Sequence, residues 1–229
     1  MNHELGVLDS LPSGADHVVA EQVLLDAGWD RCGVGDWAVV LASPSGLTAA
    51  RISPFDPVAP YTAELFRTAA RTRQVPALQA YVELDGGAVC TIMERLHPAD
   101  PQQAAAFFDA LGERRPDMLP LAEAIDEVVA RARAWLPWFG PLDPNPSNVM
   151  RREDGQLVLT DPFFADGLNL YGSLLVDASR VAQRIPPEQR RHMFELPLGE
   201  SGPWDAVERA RMQARLAEAD QHLGTQCAG

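Results

Sequence analysis

Three polar side chains between residues 139 and 164 have types and spacings that can support chemistry. Asp143 and Asn148 form an Asp-x-x-x-x-Asn pattern in LDPNPSN, and Asp161 follows Asn148 by thirteen residues in TDPF. Carboxylate and amide oxygens are hydrogen-bond acceptors and potential ligands of a cation. The segment is therefore a candidate functional site. The simpler alternative is that Asp-Pro and Asn-Pro only form turns here.

A predicted β-hairpin separates these residues. The pattern gives a short strand at NVMRR, a turn at Asp154-Gly155 and a second strand at LVLT. Asn148 and Asp161 stand at the outer ends of the two strands, so the hairpin holds them close together, and Asp143 lies on the loop that enters it. In the structural alternative, Asp161 only caps the segment that follows.

The N-terminal part of the chain favours antiparallel strands. Ser-Pro-Ser-Gly and Asp-Gly-Gly are turn clusters between β-rich segments. Gly33-Val-Gly35 is predicted as a flexible turn ahead of the first hairpin. The predicted elements are a helix over 16–27, strands over about 37–42 and 47–52, a helix over 61–73 and a strand–turn–strand unit over 78–96.

The C-terminal part is predicted to be mainly helical. Apolar residues at helical spacing indicate helices over 103–112, 121–136, 173–184 and 204–223. The fold class is therefore α+β with two lobes. Residues 1–95 form a small antiparallel sheet with one helix, and residues 96–229 form a mainly helical lobe that contains the hairpin over 141–163.

Charge and composition exclude several classes of function. The net charge is −13, which disfavours binding to a nucleic-acid backbone. All 19 basic residues are arginine, so neither a Schiff base on lysine nor a P-loop lysine is available. The sequence has no apolar run long enough for a transmembrane helix, and its first residues lack the pattern of a secretory signal. We therefore expect no nucleic-acid partner and no membrane.

Cysteine and histidine spacings predict neither a disulfide framework nor a zinc site. The three cysteines, Cys32, Cys90 and Cys227, are odd in number and widely separated, as is typical of a cytoplasmic protein. No Cys-x-x-Cys or His-x-x-x-His pair occurs. The five histidines are scattered along the chain, and we expect surface or capping roles for them.

In its motifs and their order, the chain resembles the kinase-like phosphotransferases, especially the small bacterial branch related to aminoglycoside phosphotransferases. The resemblance covers most of the chain. It implies that Asp143 is the catalytic residue that faces a substrate hydroxyl, and that Asn148 and Asp161 are the metal ligands. It also implies a two-lobed protein-kinase-like fold with ATP and Mg²⁺ as cofactors.

Two further stretches in the N-terminal part carry the resemblance. GVGDWAVV places Gly33 and Gly35 in the frame of a glycine-rich loop over nucleotide phosphates, although the third glycine of that loop is missing. MERL, which contains Glu94, resembles the segment that joins the lobes and hydrogen-bonds adenine through its backbone. The resemblance therefore implies that Gly33, Gly35 and Glu94 bind the nucleotide.

The sequence also departs from the family. The family's phosphate-binding lysine falls at Arg51, and its usual glutamate partner on the following helix falls at Glu64. Arginine is always charged, but its planar fork is longer and shaped differently. Pro141 and Asn145 stand where the family often has histidine, no Ala-Pro-Glu follows Asp161, and the chain is short.

These motifs leave several functions open. The first is ATP- and Mg²⁺-dependent transfer of a phosphoryl group to a hydroxyl of a small molecule or protein. The second is a catalytically impaired pseudokinase that keeps the fold as a binding or regulatory module, which Arg51 and the thinned glycine loop favour. A further alternative links the absence of lysine to transfer of a group, including a nucleotidyl group, to lysines on partners.

Overall fold

The computed structural model describes residues 3–35, 37–196 and 202–226, so Cys227 lies outside the described residues. The chain begins with a 3-10 helix over His3–Ser10 and continues into helix α1, His17–Asp26. The Asp16 carboxylate accepts a hydrogen bond from the Val19 N–H and caps α1 at its first turn. The helix predicted over 16–27 is confirmed.

A five-stranded antiparallel sheet in the order β1-β2-β3-β5-β4 forms the N-terminal part. Its strands are β1 Asp30–Val34, β2 Val39–Ala42, β3 Thr48–Ser53, β4 Leu78–Glu83 and β5 Val89–Glu94. Both predicted hairpins, β2–β3 and β4–β5, are confirmed. Strand β1 was not predicted: Gly33, expected in a flexible turn, pairs with Val40 within the sheet.

Helix α2, Ala59–Thr68, lies between β3 and β4 and packs against β4 and against a later helix, α4. It is shorter than the predicted helix over 61–73, because a 3-10 turn over Ala70–Thr72 follows it and Arg73 adopts a φ of 59°. Helix α1 also contacts the sheet, through β3 and β5. Two helices from different parts of the sequence, α1 and α2, therefore pack against the N-terminal sheet.

The C-terminal part is mainly helical, as predicted. Its helices are α3 Pro101–Gly112, α4 Leu119–Trp135, α5 Gly167–Val176, α6 Ala178–Arg184 and α7 Ala206–Gln226. The single helix predicted over 173–184 is wrong, because the chain breaks between α5 and α6 at Asp177. The carboxylate of Asp177 accepts the Arg180 N–H, and this competing cap interrupts the helix.

Five short strands complete the C-terminal part. They are β6 His97–Pro98, β7 Phe139–Leu142, β8 Val149–Arg151, β9 Leu157–Leu159 and β10 Phe163–Ala165. The predicted hairpin is confirmed as β8–β9, with Gly155 in its turn at a φ of +88°. Strand β6 extends this hairpin, and β7 pairs with β10 in a separate two-stranded sheet. The α+β architecture, an antiparallel N-terminal sheet followed by a mainly helical part, is confirmed.

Two hydrophobic clusters hold these elements together. The smaller joins α1 to the sheet through residues such as Leu24, Leu41 and Ile92. The larger contains Tyr171 of α5, and it also contains Phe66 of α2, so it includes residues on both sides of the predicted boundary at 95. Within the described residues, no helix combines the length and hydropathy needed to cross a bilayer.

Candidate functional site

Strands β7 and β10 place Asp143 and Asp161 at the same end of a two-stranded sheet. Leu142 pairs with Phe163, and the Asp143 N–H donates to the Pro162 carbonyl at 3.0 Å. Asp143 follows the last residue of β7, and Asp161 lies two residues before β10. This pairing, which sequence reasoning missed, brings the two carboxylates together from outside the β8–β9 hairpin.

The proline-rich loop after Asp143 is closed by its own side chains. Asp143 Oδ1 accepts the Asn145 N–H at 3.1 Å, and Asn145 Oδ1 accepts the Ser147 N–H at 3.0 Å. The Asn148 N–H then donates to the Asn145 carbonyl at 2.9 Å. The turn chemistry that the sequence offered as an alternative is therefore present, and it fixes the direction of the Asp143 carboxylate.

Asn148 is buried and bonded to both sides of the site. Its Nδ2 donates to Asp143 Oδ2 at 2.8 Å, so its Oδ1 is the end of the amide that remains for a ligand. Its backbone carbonyl accepts from the Thr160 N–H at 2.7 Å and from Thr160 Oγ1 at 3.0 Å. Asn148 thus links Asp143 to the residue next to Asp161.

Asp161 differs from its neighbours because no described residue donates a hydrogen bond or forms an ion pair with its carboxylate. The residue is open to solvent, yet protein atoms surround its carboxylate as they do in a cleft. The resulting loss of hydration raises the pKa of Asp161, Arg51 opposes this rise, and Asp56 and Asp143 reinforce it. Three carboxylates and one guanidinium therefore share the cleft.

Arg51, on β3, is the cation of this group. Its Nη1 donates to Asp56 Oδ2 at 2.7 Å, and side-chain exposures of 24% and 5% show that both groups are withdrawn from water. Burial alone would lower the pKa of Arg51, but Asp56 and Asp161 more than offset this effect and raise it. Arg51 is therefore a positive charge that Asp56 holds in place and whose field reaches Asp161.

The predicted pairing of Arg51 with Glu64 is wrong. Glu64, on α2, forms an ion pair with Arg131, on α4, because these two helices pack against each other. Asp56 takes the place of Glu64, and its second oxygen also accepts the backbone N–H groups of Val58 and Ala59 at the start of α2. Sequence reasoning missed Asp56, although aspartate is one of the residue types that commonly accept the first N–H groups of a helix, here from three residues before α2.

The glycine positions lie on the β1–β2 hairpin. Gly33 is in the strand, and the Gly35 N–H closes the turn on the Ala38 carbonyl at 2.8 Å. Neither glycine has a positive φ, and a Cβ at either position would lie at least 3.6 Å from its nearest neighbour. The fold by itself therefore does not require glycine at 33 or 35.

Both the backbone and the carboxylate of Glu94, at the end of β5, form hydrogen bonds. Its N–H donates to the Ala77 carbonyl at 3.1 Å, and the Arg95 N–H donates to the Leu47 carbonyl at 2.8 Å, so neither is available to a base. Its carboxylate accepts from the Ala77 N–H at 2.8 Å and from Arg152 Nη2 at 2.6 Å. In this structure Glu94 is a joint between β5 and the β8–β9 hairpin.

Comparisons with known proteins give little beyond this geometry. Neither a protein-family model nor a curated protein matches the chain. Among solved structures, the chain is similar to aminoglycoside phosphotransferase APH(3'')-Id from Streptomyces rimosus, with 16% identity and a TM-score of 0.28 over 90% of this chain and 99% of that one. A structure of the same enzyme in complex with ADP and streptomycin gives 16% identity and a TM-score of 0.32 over 89% and 98%. At these TM-scores the likeness carries no weight for function.

Proposed function

We propose that this protein transfers a phosphoryl group from Mg²⁺-bound ATP to a hydroxyl of a small molecule or protein. One observation carries the proposal: Asp143 and Asn148 are hydrogen-bonded to each other next to an unbonded Asp161, with Arg51 beside it. Phosphoryl transfer needs mainly positioned charges rather than covalent chemistry from the protein. A base, two oxygen ligands and a fixed cation in one cleft meet that need.

The residues of the cleft fit a magnesium ion. Asp56, Asp143 and Asp161 against Arg51 leave an excess of two negative charges when all are ionised, and a divalent cation offsets two. Asn148 Oδ1 and Asp161 are the oxygens that would hold it, in keeping with the preference of Mg²⁺ for a few protein oxygens plus phosphate. When bound, the ion would neutralise charge on the nucleotide phosphates.

Asp143 is the proposed base for the acceptor hydroxyl. Hydrogen bonds from the Asn145 N–H and from Asn148 Nδ2 hold one of its oxygens each, so the carboxylate does not rotate when a hydroxyl approaches. Each carboxylate oxygen has a second lone pair, which allows it to accept a proton while these bonds persist. Held in this way, the carboxylate is ready to orient and deprotonate the nucleophile.

Arg51, Gly33 and Gly35 are the proposed phosphate contacts in the N-terminal part. Asp56 binds Arg51 through Nη1, and the guanidinium has further N–H donors to offer to a phosphate. The side-chain space left at Gly33 and Gly35 lets phosphates approach the backbone. Under this proposal residues 1–95 bind the nucleotide and residues 96–229 supply the base and the metal ligands.

The test is calorimetric titration of Mg²⁺-ATP into wild type, Asp161→Asn and Asp154→Asn. Asp154 is an exposed aspartate at the opposite end of the same hairpin, so it controls for the substitution itself. We expect binding to weaken by tenfold or more in Asp161→Asn, on the order of 1.4 kcal/mol, and to be unchanged in Asp154→Asn. Equal binding to all three proteins would refute a metal-nucleotide role for Asp161.

A nucleotide-binding module without transfer activity is the second candidate. It is favoured by the engagement of Arg51 with Asp56, since a guanidinium tied to a carboxylate is less free to follow a phosphate. Arg51→Lys distinguishes the candidates, because a lysine restores the residue type typical of the family. If wild type is inactive and Arg51→Lys is active, the native protein is the second candidate, a binding module. Activity in wild type that falls in Arg51→Lys would assign it to the first.

A further inference from the structure

A second cluster of titratable side chains lies outside the candidate site, where His17, His192 and Glu195 meet. His17 Nε2 is 3.1 Å from Glu195 Oε2, and His192 Nδ1 is 2.5 Å from Glu195 Oε1. The two imidazole rings are 4.8 Å apart at an angle of 70°. One ligand atom from each of the three residues lies within 4.8 Å of those from the other two. No sequence pattern predicted this cluster, because His17 is far from the other two residues along the chain.

Three separate elements build the cluster. His17 is the first residue of α1, and His192 and Glu195 belong to the segment between α6 and α7. The β4–β5 turn supports them: Gly86 has a φ of +74°, and a Cβ there would lie 2.4 Å from the His192 ring. The cluster therefore joins the first helix and the sheet to the C-terminal segment over 185–196.

Hydrogen bonding alone leaves this arrangement incompletely satisfied. The side chains of His17 and His192 are only 16% and 10% exposed. His17 Nδ1 and His192 Nε2, the ring nitrogens that are not in contact with Glu195, are buried with no hydrogen-bond partner among the described residues, so neither ring is held by hydrogen bonds at both nitrogens.

One of the separations matches that of two ligands on one small metal ion, and the shorter contact between His192 and Glu195 has to widen. Zinc binds imidazole nitrogen and carboxylate oxygen at about 2.0–2.2 Å in a tetrahedral arrangement, which puts neighbouring ligand atoms about 3.3 Å apart. The 3.1 Å between His17 Nε2 and Glu195 Oε2 is close to that value. The Glu195 side chain is 49% exposed, so it can rotate to widen its contact with His192 and leaves a path for an ion from solvent.

We propose that His17, His192 and Glu195 bind one divalent transition-metal ion of the zinc type, with water as the fourth ligand. The bound ion fastens the segment over 185–196 to the start of α1. Imidazole favours zinc over Mg²⁺, which prefers oxygen ligands, so this site is chemically distinct from the cleft around Asp161. It does not depend on the proposed transfer activity.

The experiment is a titration of Zn²⁺ into chelator-treated protein, followed by calorimetry and by thermal unfolding, with the absorption bands of Co²⁺ as a probe of coordination. The variants are His17→Ala and Glu195→Ala, and His97→Ala is the control because His97 is an exposed histidine outside the cluster. We expect one Zn²⁺ per wild-type chain and a rise of several degrees in Tm. Affinity should fall about a hundredfold or more in both cluster variants and stay unchanged in the control.

Two results would overturn the proposal. One is wild-type protein whose Tm does not respond to Zn²⁺, which would leave a hydrogen-bonded cluster without a metal. The other is equal Zn²⁺ affinity in wild type and Glu195→Ala. Because Glu195 is half exposed, its truncation is not expected to unfold the chain, and circular dichroism of the metal-free variants verifies this. An excess of Mg²⁺ should leave Zn²⁺ binding in place, so failure of this site is distinguishable from failure of the nucleotide site.

Discussion

The junction around Glu94 and the cleft around Asp161 hold a carboxylate in opposite ways. Glu94 accepts hydrogen bonds from Arg152 Nε and Nη2 and from the Ala77 N–H. Burial alone would raise its pKa, but these bonds hold the pKa of Glu94 below its usual value. Asp161 accepts no such bond from a described residue, and its pKa is raised.

The difference separates a carboxylate that is hydrogen-bonded within the fold from one that no described residue bonds. Arg152 reaches three groups at once, since it also donates to the carbonyls of Arg73 and Val75. Removal of one partner from a well-bonded and partly buried ion pair destabilises the fold because the other charge is left without compensation, whereas an unbonded charge beside like charges opposes folding. Glu94 therefore belongs to the first kind and Asp161 to the second. The family resemblance implied that Asp161 binds a metal through its carboxylate and that Glu94 binds the nucleotide through its backbone.

The largest expected effect is on activity, from Asp143→Asn. The change keeps the shape of the side chain but removes its capacity to accept a proton, so we expect the rate of phosphoryl transfer to fall about 10²–10⁴-fold. Steady-state measurement with a hydroxyl acceptor, alongside Asp154→Asn as control, tests this. Unchanged turnover in Asp143→Asn would show that the cleft takes no part in the reaction.

Loss of Arg152 should produce the largest effect on stability. Arg152→Met leaves the Glu94 carboxylate without its charged partner and two carbonyls without a donor, so we expect about 2–3 kcal/mol of destabilisation. Arg151→Met, one residue earlier in β8, is the matched control and should change the free energy of unfolding by about 0.5 kcal/mol or less. Urea unfolding of both variants measures the difference, and similar losses would mean that the Glu94 junction has no special role.

The stability that Glu94 supplies should depend on pH. Because its pKa is lower in the folded state than the usual 4.5, its ionised form favours folding above about pH 4.5. Glu94→Gln should therefore be less stable than wild type by about 2 kcal/mol at pH 7. This gap should shrink as pH falls through the lowered pKa. Denaturant unfolding from pH 7 to pH 3 tests it, and a gap that is independent of pH would exclude the ion pair as its cause.

The smallest expected effect is a gain in stability rather than a loss. Asp161→Asn removes a charge that is crowded by Asp56 and Asp143, so the protein without ligand should become more stable, by about 1 kcal/mol or less because solvent screens the group. Thermal unfolding in a chelator measures the shift. A decrease in stability would show that Asp161 supports the fold as Glu94 does, and the comparison between the two carboxylates would fail.

Local turn signals explain which elements the sequence predicts correctly. The hairpins β2–β3, β4–β5 and β8–β9 each contain a glycine-bearing turn between β-rich residues, and all three form. Strands β7 and β10 were missed because they are short, β7 contains glycine and proline, and their pairing connects distant segments. Sequence spacing therefore placed Asp143 beside the hairpin, but it did not reveal the sheet that joins it to Asp161.

Long-range pairings of charged residues were harder to predict. The choice of Asp56 over Glu64 as the partner of Arg51 depends on the direction in which α2 faces, which packing against α4 decides. Likewise, nothing in the local sequence distinguishes Arg152, which binds Glu94, from its neighbour Arg151. Residue type and spacing can identify a charged residue as a candidate, but the packing of distant elements determines its partner.

The hydrogen bonds from Thr160 to the Asn148 carbonyl have a consequence for binding affinity. They clamp the open end of a hairpin whose strands are only three residues long, and the Leu159 N–H anchors the same end to the Gln74 carbonyl at 2.8 Å. Ordering a mobile side chain when a ligand binds costs about 0.5–1.5 kcal/mol of conformational entropy. Thr160 restricts the backbone of Asn148, and the bond from Nδ2 to Asp143 restricts its side chain, so a ligand bound by Asn148 would lose little binding free energy to that ordering.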